Sequence, residues 1–102
     1  MKLTSRDTCS DYLDQSIAWE FELVDYVWRC EAHAPGDDSL SALAATLARG
    51  EIRRCLQARA LVHRLRDCST QEIAAALSHA GLGDHAGALL HGNWAAVGLA
   101  IE

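Results

Sequence analysis

The chain has 102 residues, half of them apolar, with nine Lys and Arg against fourteen Asp and Glu and a formal charge of −5. That length suits one domain with one core and excludes two, and the apolar share excludes a disordered segment. No apolar run reaches the roughly eighteen residues of a membrane span, and the start MKLTSRDTCSDYLDQ lacks a signal-peptide core, so a cytoplasmic chain with no membrane contact of its own is expected.

Residues 1–7 read as a frayed end. From Thr8 the pattern is helical: Thr8 or Ser10 can cap, Asp11 falls in the first turn, and Leu13, Ile17, Phe21, Val24 and Trp28 follow at helical spacing. This stripe is expected to be the core face, with Trp28 inside. A second stripe, Trp19, Leu23, Tyr26 and Cys30, lies on another side of the wheel. The segment is either two helices broken near Ser16 to Ala18 or one long helix whose second stripe meets something else.

The stretch EAHAPGDDS, from Glu31 to Ser39, ends what precedes it. Asp38 or Ser39 then caps a short helix whose expected buried side is Leu40, Leu43, Ala44 and Leu47, with Gly50 as its terminator. The central helix follows to Asp67. Its apolar residues Ile52, Cys55, Leu56, Ala58, Leu61, Val62 and Leu65 cover about two-thirds of the circumference, leaving a basic strip of Arg49, Arg53, Gln57 and Arg64. Ser69 or Thr70 with Glu72 forms a capping box for a helix that turns Ile73, Ala76, Leu77 and Ala80 inward. Gly81 to Gly83 closes it. Asp84 is expected to cap the next helix, in which Ala86, Leu89 and Leu90 repeat the spacing before Gly92-Asn93. The end, WAAVGLAIE, reads as a docked terminus or the start of a linker. The fold expected is all-α, a compact antiparallel bundle of five or six short helices over residues 8–92, with 93–102 as a tail.

Charge is segregated. Residues 1–48 carry three bases and nine acids, 49–66 six bases and one acid, and 67–102 four acids and no base. Such a map suits attraction between unlike faces of two copies, or of relatives. Reactive groups with a recognised spacing are absent: there is no phosphate loop, no G-x-S-x-G, no H-E-x-x-H and no dinucleotide fingerprint, so no enzyme and no cofactor are expected. His79, His85 and His91, six apart, fall on alternating sides of a helix and read as partly exposed helix-end residues rather than a metal site. His63 reads as a core or boundary histidine. Cys9, Cys30, Cys55 and Cys68 are widely spaced without C-x-x-C, as reduced and mostly buried thiols are. STQEIAAAL has the look of a helix-turn-helix opening, but GDHAGALLHGN behind it carries no Lys or Arg, so no nucleic-acid partner is expected.

From Gln57 to His91 the runs QARALVHRL and EIAAALSHAGLGDHAGALL, in which Ala76, Leu77, Gly81, Ala86 and Leu89 give A-L-x-x-x-G-x-x-x-x-A-x-x-L, resemble the closing helices of the death-fold superfamily. Upstream, YVWRCEAHAPGDDSLSALAATLARGEI is similar in character to the second and third helices of caspase-recruitment-like and death-effector-like members, and the A-L-x-x-x-G ending points to the caspase-recruitment-like ones. The resemblance implies a six-helix bundle without catalytic activity that clusters or recruits an effector by homotypic association with other death-fold domains, itself included. The Ala- and Arg-rich usage looks bacterial, and bacterial relatives resemble their animal counterparts in being attached to proteases, ATPases or pore-forming partners of antiviral defence. The implied interface sets a basic face, Arg49, Arg53, Arg54, Arg59 and Arg64, against an acidic one, Asp14, Glu22, Asp25, Asp37 and Asp38, with Trp19 and Tyr26 as apolar anchors. The other reading of the same residues is a small acidic helical chaperone or inhibitor that binds one unlike protein.

Overall fold

The computed structural model describes residues 5–33, 39–92 and 94–97, and among these there is no strand. Two long helices dominate: α1 spans Ser5–His33 and α2 spans Ser39–Arg64. Two short ones follow, α3 over Thr70–His79 and α4 over Gly83–His91, and then a single 3-10 turn, Trp94–Val97. The expectation of five or six short helices is therefore corrected to four among the described residues. Of the two readings left open for the first segment, the single long helix is the one found, α1 running unbroken through Ser16 to Ala18; the expected stop at Gly50 is absent, and α2 runs unbroken through it. A mid-helix glycine costs only about 1 kcal/mol relative to alanine, and packing along a long partner helix outweighs it.

α1 and α2 form an antiparallel hairpin, as the pairs Glu20–Arg59 and Glu31–Arg49 require, since one number rises while the other falls. At 1.5 Å per residue both are about 40 Å long, whereas α3 and α4 are about 15 Å each. The short helices can cover only part of the hairpin, and the molecule is elongated, 50 × 26 × 20 Å.

The core has two parts. At the end where the short helices dock, Cys9 and Tyr12 of α1 pack with Ala58 and Val62 of α2, Ile73 and Leu77 of α3, and Leu82, Ala86, Leu89 and Val97. Farther along the hairpin, Leu23 and Val27 meet Ala45, Ala48 and Cys55 in a second cluster. The inward face of α1 is thus Cys9, Tyr12, Ser16, Leu23 and Val27, with Trp19, Tyr26 and Cys30 at its margins. This reverses the expected orientation: Ile17, Phe21 and Trp28 are 44%, 71% and 70% exposed. On α2 the expected buried side is also displaced. Leu40, Leu43 and Leu47 face outward while Ala45 and Ala48 face α1, because small side chains let the two backbones approach.

The short helices follow their local signals. Ser69 caps α3, its hydroxyl accepting from the Glu72 N–H at 3.2 Å and donating to the Glu72 carboxylate at 2.9 Å. Gly92 ends α4 in the left-handed conformation, φ +64°, which only glycine adopts without strain. Asp84 does not cap α4. Leu82 holds that position, and Asp84 lies in the first turn, accepting from the His85 N–H at 3.0 Å.

Candidate functional site

Two features stand apart from ordinary packing: an apolar face left bare by the hairpin, and a polar cluster sealed beneath the short helices.

The bare face follows from helix geometry. On α1 the stripe of exposed Ile17, Phe21 and Trp28 with half-buried Val24 is rotated by roughly 120° from the inward residues. In an antiparallel partner the sense of rotation reverses, so the α2 residues on the same side are Leu56 and Ala60, with Arg53 farther out on the ridge. Leu13, Ile17, Leu56, Arg59, Ala60 and His63 line one shallow groove there. Leu56 is 45% exposed. Two ion pairs bridge the helices along this side, Glu20 with Arg59 at 2.5 Å and Glu31 with Arg49. α4 and the 3-10 turn occupy the opposite side, where Trp94 stacks on Tyr12 and Trp19, with centroids at 5.7 Å and 6.1 Å, and its indole N–H donates to Gln15.

The residues expected to form charged faces are distributed as follows. Arg49, Arg54 and Arg59 are engaged within the chain, Arg54 by Asp84, Glu51 and the Gly81 carbonyl. Arg53 and Arg64 are exposed on the outer ridge of α2 and pair with no described residue. Asp14, Glu22 and Asp25 are exposed and fall within about a quarter of the α1 circumference, with Asp25 bound to Arg29 at 3.1 Å. Asp37 and Asp38 lie outside the described residues. Trp19 and Tyr26 are half-buried against the hairpin core, and the Arg29 guanidinium lies 5.9 Å from the Tyr26 ring centre. The open aromatic area is at Phe21 and Trp28 instead. His63, read as a core or boundary residue, is exposed.

The polar cluster centres on His85, which is fully buried and not the partly exposed helix-end residue expected from its spacing. Its Nδ1 lies 2.8 Å from the Tyr12 hydroxyl, and its Nε2 lies 3.1 Å from Glu51 Oε1. An ionised carboxylate only accepts, so Nε2–H donates to Glu51 and the Tyr12 O–H donates to Nδ1 of the neutral ring. Arg54 reaches the other Glu51 oxygen at 3.4 Å and also binds Asp84, which holds the loop before α4 against α2. Cys55 lies one turn beyond Glu51, and one donor atom each from Glu51, Cys55 and His85 falls within 4.8 Å of the others. Burial, with the Glu51 charge second, pushes the Cys55 thiol up to about 12, and burial likewise raises the Tyr12 hydroxyl. Spacing held a partial signal for this cluster: Glu51 and Cys55 are i and i+4 on one helix, and His85 precedes the inward-facing Ala88 and Leu89 by three and four. What no spacing conveyed is that the first turn of α4 sits on the middle of α2.

Fold and site together define an all-helical protein built on a long hairpin, and none of its described helices is long and apolar enough to cross a membrane. Comparison with protein-family models, curated proteins and solved structures finds no match to this chain.

Proposed function

We propose that the chain is a non-catalytic interaction module that associates with its own kind, a second copy docking on the bare face of the α1–α2 hairpin. The observation that carries this reading is the exposure of Ile17, Phe21 and Trp28 along one side of α1, with Ile17 sharing a groove with exposed Leu56 of α2. With Val24, the α1 residues step by four, three and four, the seam that a helix presents to another helix in a bundle or coiled coil. A monomer leaving two aromatic side chains on one such seam exposes a patch of the kind that marks interaction sites.

Charge and size favour a second copy as the occupant. The chain carries −5 overall, but of the acids along this side of α1, Glu20, Glu31 and Asp25 are paired with Arg59, Arg49 and Arg29, and the charge of Asp14 at its edge is offset by Arg53 on α2. Two such faces meet without the repulsion that the net charge would impose elsewhere. Two helices side by side, about 40 Å long and about 20 Å wide, offer on the order of 800 Å², what a standard interface takes from each partner. Identical faces meeting about a two-fold axis form an isologous, closed contact. Such an association concentrates any effector that the module carries or binds, which is the clustering role expected of a homotypic adaptor. The support is the geometry of the face and not the family resemblance.

Light scattering after size exclusion over a range of concentrations tests this. The expected result is a mass rising from 11.1 kDa towards twice that value. The rise is lost in Phe21→Glu and Trp28→Glu with helicity unchanged, and weakened to a smaller degree in Arg53→Glu. A monomer at every concentration, or a dimer indifferent to Phe21 and Trp28, overturns the reading and leaves an unlike partner as the occupant to seek.

A further inference from the structure

Three side chains able to ligate a metal converge inside the fold where an interaction module has no need of them. Glu51 and Cys55 project from one face of α2, one turn apart, and His85 comes down from the first turn of α4. We propose that Glu51, Cys55 and His85 form a binding site for a divalent metal ion of the zinc type.

The distances suit that ion. Tetrahedral zinc with bonds of about 2.0–2.3 Å holds its donor atoms about 3.3–3.8 Å from one another. The 3.1 Å between Glu51 Oε1 and His85 Nε2 is close to that edge already, and the 4.8 Å limit on the whole set leaves side-chain adjustments of about an ångström. The donor set, one sulfur, one imidazole nitrogen and one carboxylate oxygen, is borderline in softness and selects zinc-like ions over magnesium or calcium.

The surroundings supply what metal ligands need behind them. Tyr12 already sits on His85 Nδ1 and fixes the ring so that Nε2 faces Glu51. Arg54 holds the second Glu51 oxygen and is itself held by Asp84. On binding, Cys55 enters as thiolate and its proton leaves to solvent. The ring keeps one proton, now on Nδ1, which donates to the Tyr12 hydroxyl as that group turns to accept. One thiolate, one carboxylate and one divalent ion sum to zero, so the occupied site suits a buried location. Water completes the coordination. The ion fastens α4 to α2 and thereby stabilises the end of the hairpin that carries the short helices.

The test uses the 102-residue chain stripped of metal and titrated with Zn²⁺ against a chromophoric chelator, and with Co²⁺ followed by absorption. One equivalent is expected, with a thiolate-to-cobalt charge-transfer band. That band is lost in Cys55→Ser and kept in Cys30→Ser and Cys68→Ser. His85→Gln loses binding, and Tyr12→Phe weakens it by about 10- to 100-fold while keeping the stoichiometry. Because Cys55→Ser and His85→Gln touch the core, X-ray absorption on the zinc-loaded wild type reads the site without any substitution: one sulfur with nitrogen and oxygen neighbours is expected. No stoichiometric uptake, a shell without sulfur, or a band that survives Cys55→Ser overturns the proposal.

Discussion

The two ends of the hairpin use the same two helices and differ in what lies over them. Where α3, α4 and the 3-10 turn dock, five elements share one core, and even a histidine and a glutamate are buried with partners. At the other end, among the described residues, α1 and α2 have only each other: Leu23 and Ala48 are fully buried, yet Trp28, Leu43 and Leu47 a few residues away are exposed. A helix pair has one mutual seam, and each helix here is apolar over a wider arc than one seam can cover. The surplus is solvated unless another chain takes it. Core and interface are thus continuous along the same helices, and they are separated by the reach of two short helices of about 15 Å.

Thiol chemistry gives the widest contrast. Each core cluster holds one buried and one half-buried cysteine, Cys9 with Cys68 and Cys55 with Cys30. Cys30 and Cys68 are expected to react with a chromogenic disulfide in the native state. Cys9 and Cys55, held protonated by burial, should react slower by about three orders of magnitude or more, since only an opened chain exposes them. Cys55 lies under the first turn of α4 and Cys9 in the core that the short helices share, so both should be labelled at one common rate, as mass spectrometry of timed samples would read. Earlier labelling of Cys55 would mean that α4 lifts from α2 without the rest of the core opening.

Cavity-forming substitutions sharpen the same contrast in free energy. Leu77 and Leu23 are both fully buried leucines, one at each end. Replacing such a side chain by alanine costs about 2–5 kcal/mol, the lower part of that range where neighbours can relax into the space. Urea unfolding should therefore place Leu77→Ala near the top and Leu23→Ala near the bottom. Equal losses would show that the hairpin end is as rigidly packed as the other.

The smallest effect is a gain. Gly50 lies inside α2, and a Cβ built there meets nothing within 4 Å. Gly50→Ala should raise stability by about 0.5–1 kcal/mol in the same unfolding assay, as expected for an unstrained helix interior. A loss would mean that α2 needs the glycine as a joint.

Helix content, the Ser69–Glu72 capping box and the Gly92 stop were legible in the sequence because each depends on residues within a turn or two of one another. The division into five or six helices was not. Gly50 weakens a helix locally, but the helix is held from outside by α1, and that support has no local signature. Periodicity gave α1 two apolar stripes, of which the one through Ile17, Phe21 and Trp28 is the clearer. The wheel cannot say which one meets a neighbour, and the more apolar stripe, with Ile17, Phe21 and Trp28, proved to be the outer one.

Tertiary packing chose the stripe with Tyr12 and Ser16, whose small and polar groups admit α2 closely and give His85 a partner. It also decided where the candidate ligands meet, because Glu51 and Cys55 share a helix face by spacing alone, while His85 reaches them only once α4 has folded back onto α2. The sequence by itself determined that the chain is helical and where its short helices are capped and stopped, since those are contests among neighbouring backbone groups. Which apolar face lies inside, which remains to be covered, and which polar groups converge were decided by three-dimensional packing, in which segments far apart in the chain compete for the same surface.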